Sequence, residues 1–155
     1  MTAGTMTGLH HVSFTVSDLP RSVAFYGSLG FAHERTIVVA DAAGIGGRLR
    51  CAFMAAPGVR LELREYGVSG EQRAPEEHDV GSAHIALQVD DIQAWHRRLS
   101  AEGVRFLSPP LHSDTAAAMW VFLLDPDGLP VELVEPDTAG APSGKAQGMD
   151  TVRDI

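Results

Sequence analysis

Hydrophobic and polar residues alternate along two short stretches of the chain that resemble each other. Residues 11–19 read HVSFTVSDL and residues 84–92 read HIALQVDDI, an offset of 84 − 11 = 73. In each stretch apolar side chains take every second position, which is typical of a strand with one buried face. An aspartate and a helical pattern follow each stretch, so each copy predicts a strand and then a helix.

Capping residues mark where the two helices begin and end. The first helix is predicted to start after Asp18, with Pro20 in its first turn, and to stop at Gly30. The second is predicted to start after Asp91 and to stop at Gly103. The predicted apolar faces are formed by Leu19, Val23 and Tyr26 and by Ile92, Trp95 and Leu99.

The later part of each copy also matches. The chain reads LEL at 61–63 and VEL at 131–133, so the two glutamates are 132 − 62 = 70 residues apart. The turn DPDG at 125–128 predicts a hairpin before the last strand. The sequence therefore predicts an α+β fold in which two tandem βαβββ modules form a cupped mixed β-sheet, with the helices on its outer face.

Segments outside the repeat set the module boundaries. The Gly/Ala-rich residues 40–48 show no strand pattern and lack the spacing and the lysine of a phosphate-binding loop. We interpret them as a flexible loop at the mouth of the site that the cupped sheet is expected to form. We predict an N-terminal tail at 1–8, a first module at 9–66, a linker at 67–81, a second module at 82–136 and a flexible tail at 137–155.

Charge and cysteine content narrow the classes of partner. The chain of 155 residues has a formal net charge of −8 and contains no run of Lys or Arg, which argues against nucleic acid and anionic membranes. Cys51 is the single cysteine, which excludes an internal disulfide and is interpreted as a small buried apolar residue. With no predicted signal peptide or membrane span, a cytoplasmic location is expected.

In both copies, the alternation along the strands places polar residues on the sheet face that points away from the helix. Each His or Glu alternates with apolar neighbours that are needed to pack against the helices. His11, Glu62, His84 and Glu132 are therefore all predicted on the face opposite the helices. Two imidazoles and two carboxylates suit a borderline divalent ion, so these four residues predict a metal site.

The motifs that carry these residues resemble those of the vicinal-oxygen-chelate superfamily. That superfamily includes glyoxalase I, methylmalonyl-CoA epimerase, extradiol dioxygenases and bleomycin-resistance proteins. The resemblance covers residues 9–136 and rests on LHHVSFTVSDL at 9–19, RLEL at 60–63, GSAHIALQVDD at 81–91 and DPDGLPVELVE at 125–135.

The resemblance implies a role for each ligand position. His11, rather than the neighbouring His10, takes the first place, and Glu62, His84 and Glu132 take the second, third and fourth. It further implies one divalent metal ion per site (Zn, Ni, Co, Mn or Fe), a small-molecule substrate and a homodimer. Whether the ligands come from one chain or two stays open.

The number of ligands separates the enzyme classes. Four protein ligands leave two octahedral positions for a substrate with adjacent oxygens, whereas an extradiol dioxygenase uses three ligands because O₂ needs a further position. We therefore expect a metal-dependent lyase, isomerase or epimerase that acts by proton transfer. Glu132 is the expected base and Glu62 its partner, or both are permanent ligands. An Fe(II) dioxygenase and an antibiotic-binding protein of the bleomycin-resistance type are the alternatives.

Other residues of matching parity are candidates to bind the substrate. Arg60 and Arg64 share the face of Glu62 and either hold a carboxylate or phosphate or carry strand-edge charge in solvent. The remaining candidates are Thr15, Gln88, Trp120 and Phe122. Bacterial glyoxalase I recognises glutathione through an Arg in the first strand and an Asn just past the second ligand. Here these neighbourhoods hold Thr15 and the residues Glu65 and Tyr66, which argues against a glutathione substrate.

Overall fold

A computed structural model of the chain describes residues 4–40, 47–68 and 78–138. The chain divides into two compact units, Met1–Arg73 and Ala74–Ile155. Most of the predicted loop at 40–48, the middle of the predicted linker and nearly all of the predicted tail lie outside the described residues.

The first unit is one helix and a four-stranded mixed sheet. Its elements are β1 (Val12–Thr15), α1 (Leu19–Ser28), β2 (Ala32–Val39), β3 (Leu49–Ala56) and β4 (Val59–Tyr66). The strand order is β1-β4-β3-β2, with β1 parallel to β4 and the other pairs antiparallel. The first and last strands of the unit are therefore neighbours.

The second unit repeats this topology. Its elements are β5 (Ile85–Gln88), α2 (Ile92–Ala101), β6 (Leu111–Ser113), β7 (Ala118–Leu124) and β8 (Pro130–Pro136). The strand order is β5-β8-β7-β6, again with the first and last strands parallel. Two four-stranded mixed sheets with one helix each confirm the predicted α+β class and the duplicated βαβββ unit.

The helices begin and end where the sequence indicates. Oδ1 of Asp18 accepts a hydrogen bond from the backbone N–H of Arg21 at 2.9 Å, and Oδ1 of Asp91 accepts one from Ala94 at 2.8 Å. These bonds satisfy amide groups that have no partner within the helix. Just beyond the other ends, Gly30 and Gly103 have φ values of 95° and 83°, which favour glycine.

Burial along the strands follows the predicted alternation. Leu61, Leu63, Val131 and Leu133 are all 0% exposed, and they flank the two glutamates on the inner strands β4 and β8. Helix α1 contacts β3 and β4, while α2 contacts β7 and β8. The apolar residues of each sheet therefore form a core with the helix of the same unit, and the glutamates face away from it.

The hairpin of the second unit is held by a buried carboxylate. Asp125 is 5% exposed, and its Oδ1 accepts hydrogen bonds from the backbone N–H groups of Asp127 at 2.9 Å and Leu129 at 2.8 Å. A side chain that bonds to nearby backbone in this way defines a tight turn. The predicted turn before the last strand is confirmed, and it sets the register that brings β8 beside β7.

Helix α1 provides a direct test of how hydrogen bonding contributes to stability. Ser22 is 0% exposed, and its hydroxyl finds no partner among the described residues. The Ser28 hydroxyl, in contrast, donates to the backbone carbonyl of Phe25 at 2.7 Å. A buried hydroxyl without a partner costs about 1–3 kcal/mol, whereas a formed hydrogen bond stabilises by about 1 kcal/mol.

We therefore expect Ser22→Ala to raise the free energy of unfolding by about 1 kcal/mol, since it removes an unpaired buried hydroxyl. The matched variant Ser28→Ala should lower it by about 0.5–1.5 kcal/mol. Urea unfolding of both variants gives the measurement. A loss of stability in Ser22→Ala as large as in Ser28→Ala would show that the Ser22 hydroxyl is paired in solution.

Candidate metal centre

The first His–Glu pair lies where β1 and β4 run side by side. Ser13 of β1 is the register partner of Glu62 of β4, and His11 precedes β1 on the same face. Nε2 of His11 lies 3.5 Å from Oε2 of Glu62, with the side chains 36% and 17% exposed. The two side chains thus meet at a partly solvated edge of the first sheet.

The second pair is formed by the equivalent strands β5 and β8. Ala86 is the register partner of Glu132, and Nε2 of His84 lies 3.3 Å from Oε2 of Glu132. The side chains of His84 and Glu132 are 43% and 19% exposed. The ring of His84 packs edge-on against Phe122 at a centroid distance of 5.0 Å, which limits the orientations of the imidazole.

Each pair offers one imidazole nitrogen and one carboxylate oxygen, a combination that suits Zn²⁺ and similar divalent ions. Within the described residues of either unit, no group of three or more His, Cys, Asp and Glu side chains could hold a metal. Each unit therefore supplies two candidate ligands, fewer than the three or four protein ligands of an ordinary zinc site.

The thiol of Cys51 lies close to the first pair. Cys51 is 3% exposed, in agreement with its interpretation as a small buried apolar residue. Burial chiefly, and then the negative charge of Glu62, raise the pKa of the Cys51 thiol, while Arg64 acts in the opposite direction. The thiol is therefore protonated at neutral pH and does not compete as a thiolate ligand.

The predicted substrate residues of the first unit have protein partners of their own. The Arg60 guanidinium is 3.7 Å from the Glu34 carboxylate, and its side chain is 58% exposed. Arg64 donates to the Tyr66 hydroxyl and lies 5.1 Å from the centre of the Tyr66 ring. Thr15 is exposed on β1 and is the register partner of Arg64. Thr15 and Arg64 are thus adjacent, while Arg60 lies at the other end of β4.

Two of the predicted substrate residues of the second unit, Trp120 and Phe122, form an aromatic surface beside Glu132. Phe122 is the register partner of Glu132, and its ring packs at 5.7 Å against the half-buried Trp120. Gln88 is exposed at the end of β5, in register with Val134. The aromatic pair therefore borders the second His–Glu pair.

Two residues that hydrogen-bond to the first His–Glu pair were not singled out from the sequence. Nδ1 of His10 lies 2.8 Å from Nδ1 of His11, and the Ser13 hydroxyl donates to Oε2 of Glu62 at 3.1 Å. The parity of Ser13, which it shares with His11, placed it on the correct face. The neighbour relation between β1 and β4, which aims the hydroxyl at Glu62, is a tertiary feature.

A pocket beside His11 involves a further residue that the sequence did not single out. The Arg35 guanidinium lies 4.7 Å from the centre of the Phe53 ring, at one side of this pocket. The pocket is lined by His10, His11, Glu34, Arg35, Phe53, Met54, Arg60 and Leu61. A basic group and an aromatic ring thus lie close to the first candidate ligand.

Duplicated βαβββ units with one His–Glu pair each define the class of protein: an α+β protein with the glyoxalase fold. The chain belongs to the glyoxalase/bleomycin resistance protein/dioxygenase superfamily, whose family profile matches residues 8–133. The resemblance inferred from the motifs is confirmed.

Individual relatives support the same assignment. A 2-epi-5-epi-valiolone epimerase from an Actinomyces species is 33% identical over 150 residues, which cover 86% of this chain and 81% of the relative. A glyoxalase family protein from Bacillus cereus superposes with a TM-score of 0.79 at 19% identity, covering 89% of this chain and 99% of that one. The trypanothione-dependent glyoxalase I of Leishmania major superposes with a TM-score of 0.59 at 26% identity. The match covers 81% of this chain and 84% of that one.

The described ranges contain no helix with the length and apolar character required to cross a membrane.

Proposed function

We propose that this chain is a divalent-metal-dependent isomerase, specifically an epimerase, that moves a proton at the carbon beside a carbonyl of a small hydroxy ketone. The carrying observation is that His–Glu pairs recur at equivalent register positions of both units, at 3.5 Å and 3.3 Å. The relative named as an epimerase supports this reaction class over a lyase. The -one ending of that relative's substrate denotes a ketone, whose adjacent C–H bond is the natural site of proton transfer.

The proposed ligands of the ion are His11, Glu62, His84 and Glu132. Two neutral imidazoles and two carboxylates fit Zn, Ni, Co, Mn or Fe in the divalent state. When bound, such an ion acts as a Lewis acid that withdraws charge from a carbonyl oxygen and acidifies the neighbouring C–H. Because one pair supplies only two ligands, the proposal requires both pairs to serve the same ion.

Glu132 is the proposed base. Its carboxylate, 19% exposed, lies beside the aromatic surface of Phe122 and Trp120, against which a carbon ring can pack. Glu132 takes the proton from the carbon beside the carbonyl, and return of a proton to the opposite face inverts that centre. No group is gained or lost, so the product is an isomer of the substrate.

The remaining polar residues are proposed to orient the substrate. Gln88 and Thr15 offer hydrogen bonds to hydroxyl groups, and Arg64 and Arg60 offer charged donors. Arg64 is the better placed, because Tyr66 holds its guanidinium, whereas Arg60 is largely in solvent. We further propose a cytoplasmic location, in keeping with the single free Cys51, and a homodimer, as the family resemblance implies.

Hydrogen exchange in D₂O tests the proposed reaction. The full chain, stripped of metal and then reloaded with Zn²⁺, Co²⁺, Ni²⁺, Mn²⁺ or Fe²⁺, is incubated with a panel of cyclic and acyclic hydroxy ketones. We expect deuterium to appear at the carbon beside the carbonyl, with inversion of that centre, only in the metal-loaded samples. Turnover that requires Fe(II) and consumes O₂ would contradict the proposal, as would tight binding of every ketone without exchange under any metal.

A further inference from the structure

An irregularity in β2 determines where Arg35 points. In the register of β2 with β3, the pair at His33 is followed directly by the pair of Arg35 with Phe53, so Glu34 has no partner. An extra residue of this kind is a β-bulge, which re-aims the side chains that come after it. In a regular strand Arg35 would share the face of His33, two positions earlier. The bulge places it on the opposite face instead.

Two contacts agree with this change of face. Nε2 of His33 lies 2.9 Å from the Thr36 hydroxyl, although residues three positions apart point to opposite faces of a regular strand. The Arg35 guanidinium lies 4.7 Å from the centre of the Phe53 ring, and Phe53 is the register partner of Glu62 in β4. Arg35 therefore lies on the face that carries the first His–Glu pair.

The Phe53 ring orients the Arg35 guanidinium without using its hydrogen-bond donors. Stacking engages the flat face of a guanidinium, whereas its N–H groups point outward in the plane. Within the described residues, no carboxylate lies within ion-pair distance of Arg35 and no group accepts a hydrogen bond from it. Its N–H groups are thus held in place and available to a ligand.

The second unit does not repeat this arrangement. Phe122 is opposite Glu132 in the register, as Phe53 is opposite Glu62. The Phe122 ring packs against two other rings, and among the described residues of that unit no guanidinium stacks on it. The stacked arginine is therefore a feature of the first unit and not of the duplicated fold.

The pocket beside His11 carries positive charge. Arg35 and Arg60 both line it, and its one carboxylate, that of Glu34, lies 3.7 Å from the Arg60 guanidinium in a largely exposed pair. Two guanidinium groups and one carboxylate leave a net positive charge even with neutral imidazoles, although the whole chain has a charge of −8. The pocket volume of about 140 Å³ is well above the roughly 10–15 Å³ that one water molecule requires. A carboxylate or phosphate group therefore has both room and charge-assisted donors here.

We infer that Arg35 and Arg60 form an oxyanion subsite that binds a carboxylate or phosphate group of the substrate. Arg35 is the principal residue, because Glu34 already neutralises part of the Arg60 charge. The inference rests on the proposed function for the ketone and deepens it by naming the substrate class, a small hydroxy ketone that carries an anionic group. Every residue of the subsite belongs to the first unit.

Three hydroxy ketones that differ in charge test the subsite. Dihydroxyacetone is neutral, hydroxypyruvate carries a carboxylate, and dihydroxyacetone phosphate carries a phosphate. Ligand-observed NMR gives the Kd of each for the full chain, with a chelator present so that no metal contributes to binding. We expect at least one anionic ketone to bind about 10- to 100-fold more tightly than the neutral one, the effect of a charge-assisted hydrogen bond. The tighter of the two anions identifies the charged group.

Substitutions in the pocket change this preference in opposite directions. Arg35→Gln should remove most of it, and Arg35→Lys should restore part of it, because an ammonium group keeps the charge but not the planar pair of donors. Glu34→Gln should strengthen binding of the anionic ketone by up to about fivefold, since it releases Arg60 from an exposed ion pair.

The second unit offers a matched control. The Arg98 guanidinium is also stacked on a ring, 4.6 Å from the centre of Trp95, but it lies 3.1 Å from the Glu102 carboxylate. Arg98→Gln removes the same charge from the chain, so it should leave the preference unchanged. Thermal unfolding shows whether each variant folds.

The outcomes separate the subsite from the proposed reaction. Equal binding of all three ketones by the wild-type chain, a preference that survives Arg35→Gln, or an equal loss in Arg98→Gln would overturn the inference. Glu34→Gln that binds no more tightly than the wild type would remove Arg60 from the subsite. Exchange in D₂O without any preference for charge would leave the proposed function standing alone. A preference that depends on Arg35, with no exchange under any metal, would contradict the proposed function and support the subsite.

Discussion

Glu132→Gln is expected to lower the rate of hydrogen exchange beside the carbonyl by about 10²- to 10⁴-fold, the range typical of a lost general base. The amide keeps the shape of the side chain and retains an oxygen, so metal binding should suffer less than exchange. The measurement is deuterium uptake by the substrate in D₂O at saturating metal, with metal affinity determined on the same preparation.

A neighbouring glutamate gives the matched control. Oε2 of Glu135 accepts a hydrogen bond from the backbone N–H of Ile92 at 2.8 Å, at the start of α2. Glutamine keeps an acceptor there, so Glu135→Gln should exchange at close to the wild-type rate. Equal rates in the Glu132 and Glu135 variants would remove Glu132 from the mechanism and leave a water molecule or another side chain as the base.

Loss of one histidine ligand is expected to remove most of the stabilisation by metal. A ligand that binds only the folded chain adds about 2.7 kcal/mol to the free energy of unfolding at 100 times its Kd. Loss of even an outer hydrogen-bond partner of a metal ligand weakens affinity by up to about 100-fold, so we take this factor for His84→Ala. The same Zn²⁺ concentration then adds only about 0.4 kcal/mol to the free energy of unfolding. His11→Ala should behave alike, because each pair is proposed to contribute one imidazole.

Thermal unfolding of each variant with and without Zn²⁺ makes the comparison. His33→Ala, which loses a contact with Thr36 in the first unit, should keep the full metal-dependent shift. An undiminished shift in His84→Ala would mean that the second pair does not bind the ion, and the proposed four-ligand set would be wrong.

Much of the fold could be predicted because its signals are local. Alternation of apolar residues placed Leu61 and Leu133 in the core, and the structure leaves both 0% exposed. Asp18 and Asp91 could be recognised as helix caps because each bonds an amide only three residues away. The repeat itself predicted that the second sheet would copy the first.

The candidate site could be predicted only in part. Period-two parity places a side chain on a face of a strand, and this was enough to assign Glu62 and Glu132 to the same type of face. It does not indicate which strands are neighbours. The pairing of β1 with β4, which brings Ser13 opposite Glu62, depends on a crossover between strands that are distant in sequence. The supporting contacts of His10 and Ser13 therefore became visible only in the folded units.

The most direct test of the account is the stoichiometry of metal binding by the full chain. Zn²⁺ is titrated into the stripped wild-type chain and into His11→Ala and His84→Ala, with metal content determined after gel filtration. The account predicts one tightly bound ion per chain, lost in either single variant because both pairs are proposed as its ligands. Two ions per chain, one ion that survives removal of either histidine, or no tightly bound ion would contradict it.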